Sequence, residues 1–375
     1  MAVGFPAKTN FATGDVLTAT QMNDITGTLN LLQSTLYPAG RNKIINGDFN
    51  VNQRAFTSTT TSGTYGFDRF KLLATDGTST YSAQTFTPGD APVAGYEAKN
   101  FARLVSTGQT LTTARTVLTQ PIESVRTFAN QSVIVSFWAK AGSGTPSVAV
   151  NIQQYFDPAT GGSATVDTPA GKTAITTSWV RYSLSVAIPS ISGKTIGTST
   201  DPAVQVQFFT SAGSTYNTQT TTLGIQTTTI DLWGIQIEAA STGSTASPFQ
   251  TASGSIGGEL ALCQRYYQRQ FPNATTGGFG VGFVESATTA YIKIPAKVTM
   301  RTAPTALEQT GTATDYGVRI AGGTTVTCSA VPAFFGATAD ELYATFTVAA
   351  GLVAGQALFG RSAATAAYLG WSAEL

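Results

Sequence analysis

The sequence predicts a mainly β chain: a short N-terminal helix, a β-sandwich of jelly-roll type, and a smaller C-terminal β domain. Three observations carry that expectation. Apolar residues alternate with polar ones at period two over most of the chain after residue 40. Only 11% of residues are charged, against about 25% in an average soluble protein. Clusters rich in Gly, Ser, Thr and Pro punctuate the alternating runs, and glycine alone occurs 38 times. A length of 375 residues, at roughly 100–200 per domain, suggests two or three units. The expected divisions are 1–40, 41–255, 256–270 and 271–375.

The N-terminal unit opens with a helix start. Thr18 can cap the N–H of Gln21, Gln21 can reach back to Thr18, and Leu17 and Met22 sit at the positions of a hydrophobic staple. Met22, Ile25, Leu29, Leu32 and Leu36 then follow at spacings of three, four, three and four, which is a heptad seam. Such a stripe either joins copies of the chain, with a trimer as the expected state, or packs on its own domain; Gly27 weakens both. Tyr37-Pro38-Ala39-Gly40 ends the helix.

Strands are expected over 43–49, 67–74, 98–105, 115–122, 132–140, 147–155, 180–188, 204–210 and 229–239. In the last of these, Trp233, Ile235 and Ile237 fall on one face. Nine or ten strands over about 200 residues make an antiparallel sandwich. Gly257–Tyr267 contains good helix formers, with Leu260, Cys263 and Tyr267 on one stripe. Strands return over 290–295, 316–320, 324–330, 341–348 and 366–373 as a compact C-terminal β domain.

Composition narrows the chemistry. The chain has no histidine and two cysteines, Cys263 and Cys328. Nucleophile systems and metal sites built on imidazole are therefore excluded, as is a four-thiolate site. A net charge of +1 offers no electrostatic steering toward nucleic acid or anionic lipid. No apolar run reaches the ~18 residues of a membrane-spanning helix, and the N-terminus lacks the pattern of a secretory leader. Gly171-Lys172-Thr173 and Gly193-Lys194-Thr195 lack the upstream glycine of a phosphate loop and are read as turns between strands.

Without histidine, hydrolysis would need two facing carboxylates. The candidates, among them Glu123, Asp157, Asp167, Asp231, Glu238, Asp315, Asp340 and Glu341, are scattered along the sequence. Aromatic rings can stack on sugar faces. Trp179 and Trp233 read as core, whereas Tyr155, Phe156, Tyr216 and Trp371 are the candidate glycan contacts, Tyr155-Phe156 because they end a strand beside a Gly-rich loop. Asp48 and Asp231 either contribute oxygens to one Ca²⁺ or are satisfied by backbone N–H groups.

Lys43-Ile44-Ile45-Asn46-Gly47-Asp48-Phe49 with Asn52-Gln53-Arg54 resembles the opening of jelly-roll modules in bacteriophage tail-fibre and prophage tail proteins. Val135-Ser136-Phe137-Trp138-Ala139-Lys140, Trp179-Val180-Arg181-Tyr182-Ser183 and Ile230-Asp231-Leu232-Trp233-Gly234-Ile235-Gln236-Ile237-Glu238 with Ser247-Pro248-Phe249 are similar to segments of the same modules. The resemblance extends from about residue 14, in Gly14–Asn23, to Tyr267, and it is the combination that is specific. It implies a structural virion component without a catalytic centre, joined to other virion proteins through its N-terminus and binding host-surface glycan. The wider class resembles carbohydrate-binding modules, some with a structural calcium between first and last strands. A tail fibre or tail-tip protein is the leading expectation. A head fibre or capsid decoration protein, and a carboxylate-dependent depolymerase, are the alternatives. Residues 268–375 carry no such motif and are expected to form the host-facing tip.

Overall fold

The computed structural model describes residues 40–240 and 244–375. The expected N-terminal helix, with Met22, Ile25, Leu29, Leu32 and Leu36, lies outside the described residues. Eleven strands build the first body. They begin with β1 (Ser58–Thr59), β2 (Lys71–Thr75), β3 (Thr78–Thr85), β4 (Asn100–Thr107), β5 (Arg115–Glu123) and β6 (Ser132–Ala141). They continue with β7 (Ser147–Tyr155), β8 (Val166–Ala174), β9 (Val180–Ala187), β10 (Ala203–Ala212) and β11 (Thr228–Ala239). A six-stranded sheet runs β1-β3-β4-β11-β6-β9 and a five-stranded sheet runs β2-β5-β10-β7-β8. The chain changes sheet at most steps, and β11 returns to lie between β4 and β6. This is the wrapping of a jelly-roll sandwich.

Alternation builds the core. Val133, Val135, Phe137 and Ala139 of β6 are buried against Val148, Val150 and Ile152 of β7 and Val204, Val206 and Phe208 of β10. Phe49, Phe67 and Phe70 fill one end, with ring centroids 5.2 and 4.8 Å apart. Burial at about 25 cal/mol per Å² of apolar surface makes such a core the main stabilising term.

Three local expectations are corrected. Residues 43–49 are not a strand: Asn46 and Phe49 adopt positive φ, and the segment turns across the end of the sandwich. Its polar groups join both sheets, because Ile235 N–H donates to Gly47 O at 2.9 Å while Gln120 exchanges two 2.8 Å bonds with the Ile45 backbone. Gly171-Lys172-Thr173 is not a turn but part of β8, an edge strand where Pro169 is tolerated. Trp233 and Ile237 do not share a face. A register shift between Trp233 and Gln236, at Gly234 with φ 62°, sends Trp233 to the outer side beside Trp138 and Phe249.

After α1 (Asn217–Thr220) in the sandwich, helix α2 (Ile256–Gln264) leads to the second body. Ser255 caps α2 by accepting Gly258 N–H at 3.1 Å. The expected stripe is displaced: Leu260 is exposed, while Glu259 and Cys263 are buried. Glu259 causes this, since its carboxylate accepts the N–H groups of Asn46 at 2.9 Å and Ser253 at 2.8 Å and turns that face inward. Tyr267 belongs to a strand, so the second body begins inside the expected linker.

That body comprises β12 (Tyr267–Gln270), β13 (Gly278–Val284), β14 (Thr289–Pro295), β15 (Glu308–Gln309) and β16 (Tyr316–Ile320). It ends with β17 (Thr325–Ala337), β18 (Glu341–Val348), β19 (Ala357–Ser362) and β20 (Leu369–Ser372). Six of them close a barrel, β13-β14-β18-β17-β16-β19, beside a small sheet, β12-β20-β15. Ile292, Ile294, Val318, Leu342, Phe346 and Trp371 are among its buried residues.

Candidate functional site

The outer face of the five-stranded sheet is unusually rich in amides. On β7 and β10 the residues alternating with the core positions Val150, Ile152, Val206 and Phe208 are Asn151, Gln153, Gln205 and Gln207. Antiparallel register sets Gln207 opposite Asn151 on one side and Thr119 on the other, and Gln205 opposite Gln153. Gln153 in turn faces Asp167 of β8. Four carboxamides and one carboxylate thus share a single patch of sheet.

Asp167 organises the patch. Its Oδ1 accepts from Asn151 Nδ2 at 2.7 Å and Gln153 Nε2 at 2.9 Å, and its Oδ2 accepts from Gln219 Nε2 on α1 at 2.8 Å. Asn151 Nδ2 also donates to Gln207 Oε1 at 2.9 Å. With the amide N–H groups consumed in this way, Asn151 Oδ1 and Gln219 Oε1 are buried and have no partner among the described residues. A buried acceptor left unpaired costs about 1–3 kcal/mol. Gln153, Gln205 and Asp167 remain partly exposed.

Two tyrosines flank the patch. Tyr155 ends β7 opposite Ala203, is half-buried, and donates its hydroxyl to Asp157 Oδ1 at 3.1 Å. Asp157 also ties the loop beneath it, since its backbone oxygen accepts Gly162 N–H at 3.0 Å. Tyr216 lies at the other end, half-buried against Phe209 with centroids 5.9 Å apart. The other two aromatic candidates are corrected. Phe156 and Trp371 are fully buried, each on the inward side of its strand end, and neither can present a ring face to a ligand. Trp179, expected in the core, is half-buried and lines a cavity of about 460 Å³ with Phe86, Phe101, Asp90 and Lys140.

The carboxylates are engaged elsewhere. Both oxygens of Asp231 meet Arg103, at 2.7 and 2.9 Å, and Asp48 accepts from Asn50 at 2.6 Å and Tyr96 at 2.5 Å. The described residues hold no group of three or more His, Cys, Asp or Glu side chains placed to bind a metal ion. Burial opposes ionisation of Glu123, yet hydrogen bonds from Arg265 and Tyr266, with the Arg265 charge, hold its carboxyl below the usual range. Glu238 accepts two bonds from Ser247, and Asp340 accepts one from Thr299. A general acid needs a raised pKa and a facing partner, and these groups are tied to cations, hydroxyls or backbone N–H instead.

No protein-family model matches the chain, and no curated protein sequence matches it either. Solved structures do. A structure described as "CBM4 structure and function" is 18% identical, covers 52% of this chain and 98% of its own, and has a TM-score of 0.28. The CBM22-1 xylan-binding domain of Paenibacillus barcinonensis Xyn10C is 13% identical, with 54% and 96% covered and a TM-score of 0.30. TmCBM61 in complex with β-1,4-galactotriose is 12% identical, with 53% and 99% covered and a TM-score of 0.26.

Proposed function

We propose that the sandwich is a non-catalytic glycan-binding module whose ligand lies on the amide face of β7, β10 and β8. The observation that carries this is the row of partly exposed polar side chains, Gln153, Gln205 and Asp167, that the pairing of β7 with β10 and β8 sets on one face. Sugar hydroxyls donate and accept, so they match a surface that offers both and little charge. Tyr155 supplies an apolar ring edge at one end of the row. A nearly neutral chain suits a neutral polysaccharide, and binding should respond weakly to salt.

The test is an array of neutral oligosaccharides and polysaccharides probed with the full chain and with Gln153→Ala and Gln205→Ala. Each substitution should weaken binding about 2- to 12-fold, the equivalent of one hydrogen bond, and leave the melting temperature in place. Undiminished binding by the double variant removes the amide face from consideration.

We place this module on a bacteriophage fibre, as a homotrimer joined to other virion proteins through its N-terminal segment. The support is the combination of sequence segments from Gly14 to Tyr267 and the heptad spacing of residues 22–36. A head fibre or decoration protein has the same build. Antibody labelling of intact particles distinguishes the two by position.

A further inference from the structure

β13 has an inverted pattern. Its sequence is Gly278-Phe279-Gly280-Val281-Gly282-Phe283-Val284: Phe279 and Val284 are buried in the core, but between them Gly280 and Gly282 take the inward positions. A Cβ on Gly280 would lie 2.3 Å from Lys293 O, and one on Gly282 only 1.7 Å from Tyr291 O, so the backbone itself closes the barrel there. Ile292 and Ile294 of β14 fill the interior instead. Val281 and Phe283 stand outside, 65% and 50% exposed. A barrel strand that only had to bury a core would carry the opposite pattern.

The neighbours extend this surface. Val281 is opposite Phe359 of β19, which is 37% exposed, and Phe283 is opposite Tyr291 of β14. Tyr291 stacks at 4.2 Å on Phe335 of β17, itself 54% exposed, and Phe335 meets Tyr343 of β18 edge-on. One aromatic and aliphatic wall therefore crosses five of the six barrel strands. Contiguous apolar surface of this kind marks an interaction site.

Two observations, together with the trimer proposed above, select the occupant. The charged groups beside the wall are paired with one another: Lys293 Nζ and the Tyr343 hydroxyl both donate to the Glu341 carboxylate. They need no partner from outside, which favours a dry protein contact over hydroxyl-rich glycan. The barrel is closed, so β13, β14, β17, β18 and β19 have no free edge and a partner must pack on the face. The trimer proposed above from the heptad spacing of residues 22–36 would set copies of this same chain side by side, and a net charge of +1 on each gives little repulsion.

We propose that the wall of Val281, Phe283, Tyr291, Phe335 and Phe359 is a self-association surface, packed around the axis of a homotrimer of this chain. It adds a contact to the trimer proposed above and is independent of the glycan face. Cys263 and Cys328 are buried, so an introduced thiol reports on its own position. In the full-length protein at micromolar concentration, Val281→Cys should react with maleimide at least ten-fold more slowly than Ser192→Cys on a sandwich turn. Phe283→Ser with Phe335→Ser should raise the Val281→Cys rate to that of Ser192→Cys and weaken the trimer in sedimentation velocity. The Phe283→Ser, Phe335→Ser variant should keep a cooperative thermal transition, which shows that the chain still folds. A monomeric wild-type chain overturns the proposal. So does a trimer in which Val281→Cys reacts as fast as Ser192→Cys, because the seam alone then holds the copies or another molecule covers the wall. Failure of the glycan array leaves these readouts unchanged.

Discussion

Arg69 is fully buried, and its charge is held by the Glu374 carboxylate, the Pro121 carbonyl and the ring of Tyr266, 3.4 Å from the guanidinium carbon. Breaking one side of a buried pair costs about 3–5 kcal/mol, because the other charge stays buried and alone. Arg69→Met should therefore lower the urea midpoint strongly, and adding Glu374→Gln should restore part of it in a double-mutant cycle. Nearby, burial pushes the Asp68 carboxyl up from 3.8 to about 6, against the Arg54 charge and two hydrogen bonds from Gln53. A carboxyl raised on folding stabilises fully below its unfolded pKa and loses that contribution as pH rises through the folded one. The stability difference between Asp68→Asn and the wild-type chain should thus shift toward the Asn variant between pH 4 and 6 and level off above. Urea titrations across that range check the sign. Asp231 bears on metal dependence: both of its oxygens are engaged by Arg103, so EDTA should leave the melting temperature unmoved, and a fall of several degrees would restore the calcium reading.

At the scale of elements, the Asn46-Gly47-Asp48-Phe49 turn shows what a strand pattern conceals. A Cβ on Gly47 would come within 2.1 Å of the Ile235 carbonyl, so Gly47→Ala must push the turn off β11. An overpacking cost of about 1–3 kcal/mol is expected, read as a lower melting temperature with glycan affinity per folded chain unchanged. The strands that sequence alone delimits well are those with a hydrophobic side and a polar side. β18 is the clearest, with Leu342, Ala344, Phe346 and Val348 buried and Glu341, Tyr343, Thr345 and Thr347 between them. β3 is largely Thr and Ser, and β8 mixes Thr and Ala with Asp, Pro, Gly and Lys, so both carry too little contrast to stand out from turns; register with a neighbour, not alternation, makes them strands. The same limit hid most of the candidate site. Tyr155 was legible from its place at a strand end, but Asn151, Gln153, Gln205 and Gln207 read as ordinary solvent-side residues. Only pairing of β7 with β10 brings them together. Alternating amides within two Val- and Phe-rich strands were the available signal.

At the scale of the molecule, the C-terminal body does not hang from the sandwich as a free tip. Arg54 lies between the two, its guanidinium carbon 3.6 Å from the Tyr267 ring centroid and its Nη2 3.5 Å from Glu374, while Tyr65 and Lys71 both donate to the Leu375 carbonyl. Arg301 reaches from the barrel side to Thr200 O at 2.7 Å and Asp201 at 3.1 Å, and also holds the carbonyls of Ala373 and Glu374. Residues 373–375 are thus shared by both bodies. A chain cut near Gln270 would lose β20, the partner of β12, and would leave Arg69 buried without Glu374. Such a truncation tests folding before it tests binding. The contacts predict cooperative behaviour, since two bodies that share buried charges unfold together when the interface is stronger than the weaker body. Calorimetry of the full chain should show one transition. Arg301→Ala with Arg54→Ala removes contacts from both sides of the junction while leaving each core intact, and should split that transition in two. Two transitions in the unaltered chain would show that the junction does not couple the bodies, and the barrel would then be free to reorient relative to the glycan face.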